Sequence, residues 1–260
     1  MTHVRCYGKS PFRTAVIHGG PGAAGEMAPV ARHLSVCGGI LEPLQTAASV
    51  QGQIDELRTA LQTHGQPPFT LIGFSWGAWL SLMVATENGA LVKKLILVAS
   101  GPFEKKYATT IQETRLNRLS ARDRAAVERL RQQLSNPDIK DKNSAFARLG
   151  ALFSKADSYD PLEPESESID CRFDIFQKVW QQAAELRKNG TLLQLAQRIT
   201  CPVLAIHGDY DPHPAAGVQQ PLSVCAKDFR FILLNKCGHK PWLEKHARKK
   251  FYDILTEELL

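Results

Sequence analysis

The amino-acid sequence predicts an α/β fold, with a mostly parallel sheet of about six strands and helices on both faces. Short apolar runs alternate with segments of helical period over residues 1–100, and the alternation returns over residues 200–260. Strands that alternate with helices pair in parallel, because parallel neighbours need a crossover connection. Residues 101–199 are helical in pattern and interrupt the alternation. A structureless loop of that length is rare in a compact domain, so we predict an inserted helical domain there, on a core formed by residues 1–100 and 200–260.

The predicted strands are apolar runs bounded by glycine, proline or polar residues. In chain order they are a weak strand at His3–Tyr7, then Thr14–Ile17, Gly39–Leu44, Phe69–Gly73, Lys94–Ser100, Pro202–Gly208 and Phe229–Leu234. Helical period predicts helices over Met27–Leu34, Ser49–His64, the segment that follows Ser75, and Pro241–Leu259. In open parallel sheets, ligands bind beyond the carboxyl ends of the strands. Polar residues at those ends are therefore the candidates for a functional site.

Charge and composition argue against several classes of function. The net charge is +6, but the basic clusters over residues 115–131 and 236–250 lack interleaved aromatic residues. Exposed helix faces explain such clusters, so we expect no nucleic-acid partner. No apolar run reaches the length of about 18 residues that spans a membrane, and we expect no membrane partner. The start of the chain has no apolar signal segment, and its six cysteines are scattered without a C-x-x-C pair. These features predict a cytoplasmic protein with reduced thiols and a small-molecule substrate, of unknown oligomeric state.

A serine lies at the sharpest predicted turn of the chain. The apolar run Phe69–Gly73 leads into Gly73-Phe-Ser-Trp-Gly77, and a segment of helical spacing follows. A strand, a tight turn with glycines on both sides and a helix together form the setting of a nucleophile elbow, in which the serine hydroxyl is exposed above the sheet. The alternative is a plain turn in which Ser75 only caps the helix.

An acid and a base follow this serine in the chain order that a Ser–Asp–His arrangement requires. The segment after the fifth buried strand offers two carboxylates, Asp209 and Asp211. We favour Asp211, which lies three residues past Gly208 and precedes a proline, whereas Asp209 is closer to the strand and more suited to local pairing. The base candidate is His239, in the loop after the last strand. The aspartate would hold the imidazole in the correct tautomer, and the imidazole would take the serine proton.

Glycines after the first buried strand are candidates for an oxyanion hole. Gly19 and Gly20 lack side chains that would crowd a developing oxyanion, so a backbone N–H of this turn can serve as one donor. The second donor would be the N–H of Trp76, the residue after the serine. A metal site at His207, Asp209, Asp211 and His213 is a weaker alternative, because the spacing matches no known zinc motif and leaves Ser75 unexplained. We expect no metal and no organic cofactor.

The motifs His18-Gly-Gly-Pro-Gly22, Gly73-Phe-Ser-Trp-Gly77, Gly208-Asp-Tyr-Asp211 and Gly238-His239 together resemble the α/β-hydrolase superfamily. Within it they are most similar to the proline iminopeptidase, or serine aminopeptidase, branch. The resemblance covers about residues 1–100 and 200–260. It implies Ser75 as nucleophile, Asp211 as acid, His239 as base, and Gly20 and Trp76 as oxyanion donors. It also implies that the inserted helices form a lid.

The sequence departs from that branch in one stretch that bears on the substrate. The branch usually has a D-x-R-G-x-G segment where this chain has Glu42-Pro-Leu-Gln-Thr-Ala-Ala-Ser49, so part of the substrate pocket differs. In the peptidases, carboxylates of the lid bind the substrate's free amine, and no motif of this chain assigns that role to Glu104, Glu113 or another residue of the inserted stretch. The aromatic residues of the inserted stretch either shape an apolar pocket or pack the lid's own core; they are Phe103, Tyr107, Phe153, Phe173, Phe176 and Trp180.

The sequence therefore predicts a serine hydrolase that works through an acyl-enzyme intermediate, proline iminopeptidase-like, on a small amide, peptide or ester. A carboxylesterase, a thioesterase or a carbon–carbon bond hydrolase on the same fold is the first alternative. The second is a binding protein that uses the fold without catalysis. This alternative is weaker because the chain keeps all three catalytic residue types in order.

Overall fold

A computed structural model describes residues 3–163 and 169–260. The strands are β1 (His3–Tyr7), β2 (Phe12–Ile17), β3 (Ala23–Ala24), β4 (Gly39–Leu44), β5 (Phe69–Phe74), β6 (Val92–Val98), β7 (Asp170–Cys171), β8 (Val203–Gly208) and β9 (Phe229–Leu234). The helices are α1 (Ala28–Leu34), α2 (Val50–His64), α3 (Trp76–Glu87), α4 (Ile111–Arg118), α5 (Ala121–Ser135), α6 (Lys142–Asp157), α7 (Phe173–Lys188), α8 (Thr191–Gln197), α9 (Ala216–Cys225) and α10 (Arg248–Leu259).

The described residues form a main sheet of seven strands in the order β1-β4-β2-β5-β6-β8-β9, and β3 and β7 form a separate antiparallel pair. Only β1 at the edge runs antiparallel to its neighbour, and every other pair in this sheet is parallel. The predicted α/β-hydrolase fold is therefore confirmed. The strand at His3–Tyr7, whose sequence signal was weak, pairs with β4 and brings the sheet to seven strands.

Alternate residues of the central strands build two hydrophobic clusters, one on each face of the sheet. Leu71 of β5 belongs to the cluster that contains buried residues of α2 and α3. Its neighbour Ile72 belongs to the cluster that contains buried residues of α1 and α10. Both faces of β5 are thus buried, which explains its uninterrupted apolar sequence.

The stretch between β6 and β8 contains helices α4 to α8. A third buried cluster lies within it, formed by Leu119, Val127, Leu130, Leu134, Ala145, Leu149 and Ala156. Helices α4, α5 and α6 therefore have an apolar core of their own, and among the predicted lid aromatics Phe153 and Phe173 pack against it. Phe103, by contrast, is buried in the cluster of the sheet. The division into a core and a lid remains a prediction.

One predicted helix is interrupted. The sequence predicts a single helix over Pro241–Leu259, but a 3₁₀ turn covers Pro241–Leu243 and α10 begins only at Arg248. The side chain of Glu244 is buried between them and accepts hydrogen bonds from the backbone N–H groups of Tyr159 and Gly238. A buried carboxylate needs hydrogen-bond donors, and the chain bends at Glu244 to supply them. Helical period in the sequence does not reveal this constraint, because the donors are distant in the chain. No helix among the described residues is long and apolar enough to cross a membrane.

Candidate active site

The predicted elbow is a strained turn between β5 and α3. Ser75 has φ 51° and ψ −111°, a backbone conformation that residues with a side chain rarely adopt. Its N–H donates to the carbonyl of Val98 on the neighbouring strand at 2.9 Å, which fixes the turn to the sheet. The turn is so tight that a Cβ on Gly73 would lie 2.3 Å from the carbonyl oxygen of Gly77. Glycine is therefore required at position 73.

The structure brings Asp211 and His239 into direct contact, although 28 residues separate them in the chain. Asp211 Oδ2 lies 2.7 Å from His239 Nδ1, and both side chains are buried. The His239 ring lies against the ring of Phe74, with 4.8 Å between centroids, so the imidazole is beside the residue that precedes Ser75. The other carboxylate, Asp209, instead accepts from the backbone N–H of Cys237 at 3.1 Å. Of the two carboxylates considered from the sequence, Asp211 is the one in contact with His239.

A second imidazole shares this carboxylate. His213 donates to Asp211 Oδ1 from Nδ1 at 2.7 Å and from its backbone N–H at 2.9 Å. The rings of His213 and His239 are stacked, with 4.4 Å between centroids. A third histidine, His207, lies with Nε2 3.5 Å from Asp211 Oδ2 and 2.8 Å from the carbonyl oxygen of His213. The sequence pattern gives His213 no role outside the metal alternative, and only its closeness to Asp211 in the chain points to this contact.

Burial and the neighbouring charges decide the ionisation of this group. Burial by itself raises the pKa of Asp211, but the imidazoles of His239, His213 and His207 outweigh it and hold that pKa well below its usual range. Burial lowers the pKa of His213 to about 4, because desolvation outweighs the attraction of Asp211. An ionised Asp211 accepts hydrogen bonds only, so Nδ1 of His239 and Nδ1 of His213 carry the protons in these contacts. In the neutral His239 ring this tautomer leaves Nε2 with a free lone pair, as a general base needs.

Backbone contacts fix the loop that carries His239. The N–H of His239 donates to the carbonyl of Asp157, at the end of α6, at 2.9 Å. The N–H of Gly238 donates to buried Glu244 at 2.9 Å. A Cβ on Gly238 would lie 2.1 Å from the Asp157 carbonyl oxygen, so only glycine allows this close approach. The position of the imidazole thus depends on a helix from the inserted stretch.

The oxyanion candidates lie on turns at the carboxyl ends of β2 and β5. Trp76 is the first residue of α3, and the first N–H groups of a helix have no acceptor within it. Its indole donates to Gln53 on α2 at 2.8 Å, which fixes the start of the helix. Gly20 has φ 33° in the turn after β2. The buried ring of His18 supports this turn, because its two nitrogens contact the carbonyl of Gly19 at 2.7 Å and the N–H of Gln45 at 3.3 Å.

A cavity of about 200 Å³ opens beside the elbow. Its lining includes Ser75, Trp76 and Trp79 at the elbow, and His213 beside Asp211. The stretch between β6 and β8 contributes Gly101, Ala108, Ile111, Gln112, Arg115, Trp180 and Arg187. None of these described lining residues is an aspartate or a glutamate. Among the six aromatic residues singled out from the sequence, Trp180 lines the cavity, and its indole lies parallel to that of Trp79 at 6.0 Å between centroids.

One group of side chains has the composition of a metal site. The ligand atoms of Asp211, His213 and His239 all lie within 4.8 Å of one another. Both carboxylate oxygens of Asp211 already accept hydrogen bonds from imidazole N–H groups. A cation there would have to displace protons that these contacts hold in place. The geometry thus favours a hydrogen-bonded group over a metal centre.

Comparison with known proteins identifies the class. A family model described as Alpha/beta hydrolase family matches residues 16–254, so the chain belongs to the α/β-hydrolase family. No curated protein matches the chain by sequence. The predicted enzyme class is confirmed at the level of this family.

Solved structures share the fold at low sequence identity. The protein VinJ is 18% identical with a TM-score of 0.68, over 99% of this chain and 94% of that chain. The proline iminopeptidase of Mycobacterium smegmatis is 20% identical with a TM-score of 0.63, over 99% of this chain and 94% of that chain. The esterase EaEST of Exiguobacterium antarcticum is 17% identical with a TM-score of 0.68, over 99% and 95%. Identities this low show a common fold and leave the substrate open.

Replacement of Gly73 by alanine is expected to destabilise the protein by about 1–3 kcal/mol, because the new Cβ overlaps the backbone of Gly77. The matched control is Gly150→Ala on α6, where no atom of the described residues lies within 4 Å of the new Cβ apart from its chain neighbours and the nearby backbone of its own helix. This control is expected to stabilise the protein by about 0.5–1 kcal/mol, since alanine is the better helix former. Urea unfolding of the three proteins measures both effects. Equal stability of Gly73→Ala and wild type would contradict the tight turn.

The stability of the protein is expected to depend on pH through His213. Its pKa is lowered to about 4 by burial. The unfolded chain, with an ordinary histidine pKa of about 6.5, therefore binds a proton that the folded protein excludes between these values. The contribution of His213 to the free energy of unfolding is therefore fully present above about pH 6.5. It is lost as the pH falls from about 6.5 to about 4, by up to roughly 3 kcal/mol.

The test compares the unfolding free energy of wild type and His213→Gln from pH 7 to pH 4.5. The variant is less stable at pH 7, because Asp211 loses one of its donors, but its stability falls less steeply as the pH is lowered. Parallel curves for the two proteins would show that His213 does not titrate in this way.

Proposed function

We propose that this protein is a serine hydrolase that cleaves esters of small acyl groups through an acyl-enzyme intermediate. The observation that carries the proposal is the hydrogen bond of 2.7 Å between buried Asp211 and His239, formed beside the strained Ser75 turn. Membership of the α/β-hydrolase family agrees with it. The proposed roles are Ser75 as nucleophile, His239 as general base and then general acid, and Asp211 as the acid that orients the imidazole.

In the first half of the proposed reaction, Ser75 Oγ attacks the ester carbonyl carbon while His239 Nε2 takes the hydroxyl proton. The resulting imidazolium is stabilised by ionised Asp211, which does not take the proton itself. The C–O bond to the leaving alcohol then breaks, and His239 returns the proton to the alcohol oxygen. In the second half, water attacks the acyl carbon and gives a proton to His239. The bond to Ser75 Oγ breaks, Oγ regains a proton, and the carboxylic acid leaves.

The negative charge that develops on the carbonyl oxygen needs donors that are already in position. We assign this role to the N–H groups of Gly20 and Trp76. The N-terminus of α3 carries partial positive charge, which favours an oxyanion near Trp76. The His18 ring contacts Gly19 and Gln45 and thereby keeps the Gly20 turn in place.

The charges of the cavity favour an ester over a peptide with a free amine. An aminopeptidase needs a carboxylate to bind the substrate's ammonium group, and none of the described lining residues supplies one. Arg187, which is in the lining and has no carboxylate partner among the described residues, would repel that ammonium group. The related solved structures include an esterase as well as a proline iminopeptidase, so the fold accommodates either substrate. Peptidase, thioesterase and carbon–carbon hydrolase activities are the alternatives that a substrate panel tests.

We further propose that residues 101–199 act as a lid over the site, because helices α4 and α7 contribute side chains to the cavity beside Ser75. A cytoplasmic location is proposed from the six cysteines, which are all free thiols. The proposed mechanism requires no metal and no organic cofactor.

Replacement of Ser75 by alanine is expected to lower ester hydrolysis by about 10³-fold or more and to abolish labelling by a fluorophosphonate probe, since both need the hydroxyl nucleophile. The control is Ser81→Ala on the same helix, where the hydroxyl only donates to the Gly77 carbonyl. This variant is expected to hydrolyse and label like wild type. Unlabelled wild-type protein without turnover of any ester would instead favour the binding-protein alternative.

The two stacked imidazoles are expected to differ sharply in their effect on catalysis. His239→Gln removes the proposed base, so kcat should fall by about 10³-fold or more. His213→Gln removes only a second donor to Asp211, so we expect a loss of roughly tenfold or less, from weaker orientation of the acid. Steady-state kinetics on one activated ester measure both. A larger loss for His213→Gln would transfer the base role to His213.

Comparison of short-chain nitrophenyl esters with proline nitroanilide is expected to show turnover of the esters and at least about 100-fold lower kcat/KM for the anilide, because the cavity lacks an amine-binding carboxylate. Release of nitrophenol or nitroaniline gives the rates, and Ser75→Ala gives the background. Preferential anilide turnover would favour the aminopeptidase over the esterase.

A further inference from the structure

Two arginines line the cavity, and their surroundings differ. The guanidinium of Arg115 forms two hydrogen bonds with the carboxylate of Asp157, at 2.8 and 2.6 Å, and its charge is thereby compensated. Arg187 forms no ion pair with a carboxylate among the described residues. Burial lowers its pKa, and no neighbouring acid opposes that shift. Its guanidinium lies 5.6 Å from the ring centroid of Trp79, a contact that holds a cation but does not neutralise it.

A second unsatisfied donor lines the same cavity. Nε2 of Gln112 is buried and has no acceptor among the described residues, although the cavity lining includes this residue. A buried amide N–H without a partner costs free energy, which a ligand oxygen in the cavity would recover. Arg187 and Gln112 are both donors, so together they are suited to an acceptor that carries negative charge.

The helices place these donors on the walls of one cavity. Arg187 lies on α7, seven residues after Trp180, and a separation of two turns puts both side chains on the same helix face. Gln112 lies on α4, three residues before Arg115, so it shares a face with that arginine. The indoles of Trp79 and Trp180 add apolar surface to the same lining as Ser75. The cavity thus combines a nucleophile, apolar walls and a site for an anion.

We propose that the cavity binds a short acyl group that ends in a carboxylate, with Arg187 as its ion partner and Gln112 as a second donor. This inference rests on the proposed function and names its substrate class, the monoesters of short dicarboxylic acids. The methylene chain lies along the tryptophan rings and the ester carbonyl reaches Ser75. The volume of about 200 Å³ limits the acyl group to a short chain.

A carboxylate is favoured over a phosphate by the balance of charge. One uncompensated guanidinium neutralises a single negative charge, whereas a phosphate monoester carries close to two at neutral pH. The planar fork of a guanidinium also matches the two oxygens of a carboxylate. A carboxylate therefore leaves less charge uncompensated in the half-buried site.

The test uses three methyl esters that share one chain of three methylene groups: monomethyl glutarate, methyl valerate and methyl 4-aminobutyrate. They end in a carboxylate, a methyl group and an ammonium group, so only the terminal charge and polarity change. We expect kcat/KM of wild type to be highest for monomethyl glutarate, by at least about tenfold over methyl valerate, and lowest for the amine. Release of methanol measures the rates. The corresponding esters with two and four methylene groups are measured as well, so that the result does not depend on one chain length.

Substitutions then assign the preference to individual residues. Arg187→Gln is expected to lower the ratio of kcat/KM for monomethyl glutarate over methyl valerate by roughly 10- to 100-fold, the effect of losing one charge-assisted contact. Arg187→Glu is expected to make the amine a better substrate than the carboxylate. Gln112→Leu should lower the ratio less and mainly through KM. The matched control is Arg198→Gln, an exposed arginine outside the cavity lining, which is expected to keep the wild-type ratio.

A binding measurement makes the inference independent of turnover. Calorimetry with glutarate, valerate and inorganic phosphate is expected to show binding of glutarate to wild type and to Ser75→Ala, and at least tenfold weaker binding to Arg187→Gln. The proposed substrate class would be overturned if wild type and Arg187→Gln had the same ratio of kcat/KM for monomethyl glutarate over methyl valerate. It would also be overturned if wild type bound glutarate no more tightly than valerate and phosphate. Serine-dependent hydrolysis of methyl valerate without that preference would leave the proposed function intact. Glutarate binding without any serine-dependent ester turnover would instead contradict the proposed function and keep the carboxylate site.

Discussion

The candidate site depends on one buried carboxylate and the groups that compensate it. A carboxylate without partners would not stay ionised in an interior of this kind, because desolvation raises its pKa. Asp211 stays ionised because its two oxygens face His239 and His213, each 2.7 Å away, and a backbone N–H. The same contacts order two loops that follow different strands. Loss of the carboxylate would therefore leave two buried imidazoles without an acceptor, which links the stability of the site to its chemistry.

The stretch between β6 and β8 is tied to this carboxylate through the backbone. Asp157, the last residue of α6, accepts the N–H of His239 with its carbonyl and holds Arg115 with its side chain. Buried Glu244 accepts backbone N–H groups from both Gly238 and Tyr159, so it joins the same two segments. These contacts are buried or half-buried, so water and salt screen them less than they screen exposed ion pairs. The end of α6 is thus part of the support of the imidazole, whatever motion the proposed lid has elsewhere.

Local signals in the sequence sufficed for the fold and for the proposed catalytic residues. The apolar runs predict the strands because each central strand is buried on both faces, and Gly73 and Gly77 indicate the elbow because the turn leaves no room for a Cβ. The interrupted final helix and the second imidazole were not predictable in this way. The helix is interrupted because Glu244 contacts residues distant in the chain. The second imidazole joins the site because the His213 side chain is directed towards His239, on which it stacks. The donors on α4 and α7 were missed because helical period gives the face of a helix but not what that face contacts.

The two kinds of charge in the site are kept separate by hydrogen bonding. An ion pair with a carboxylate such as Asp211 would compensate the charge of Arg187. Asp211 has no need of it, because imidazole and backbone N–H groups already satisfy both of its oxygens. Asp157 already forms an ion pair with Arg115, so it does not compensate the charge of Arg187 either. With each buried acid near the cavity already bound, the remaining guanidinium is left for an anion that comes from outside the protein. A positive charge contributes to substrate selection when no acid of the protein pairs with it, and Arg187 meets this condition among the described residues.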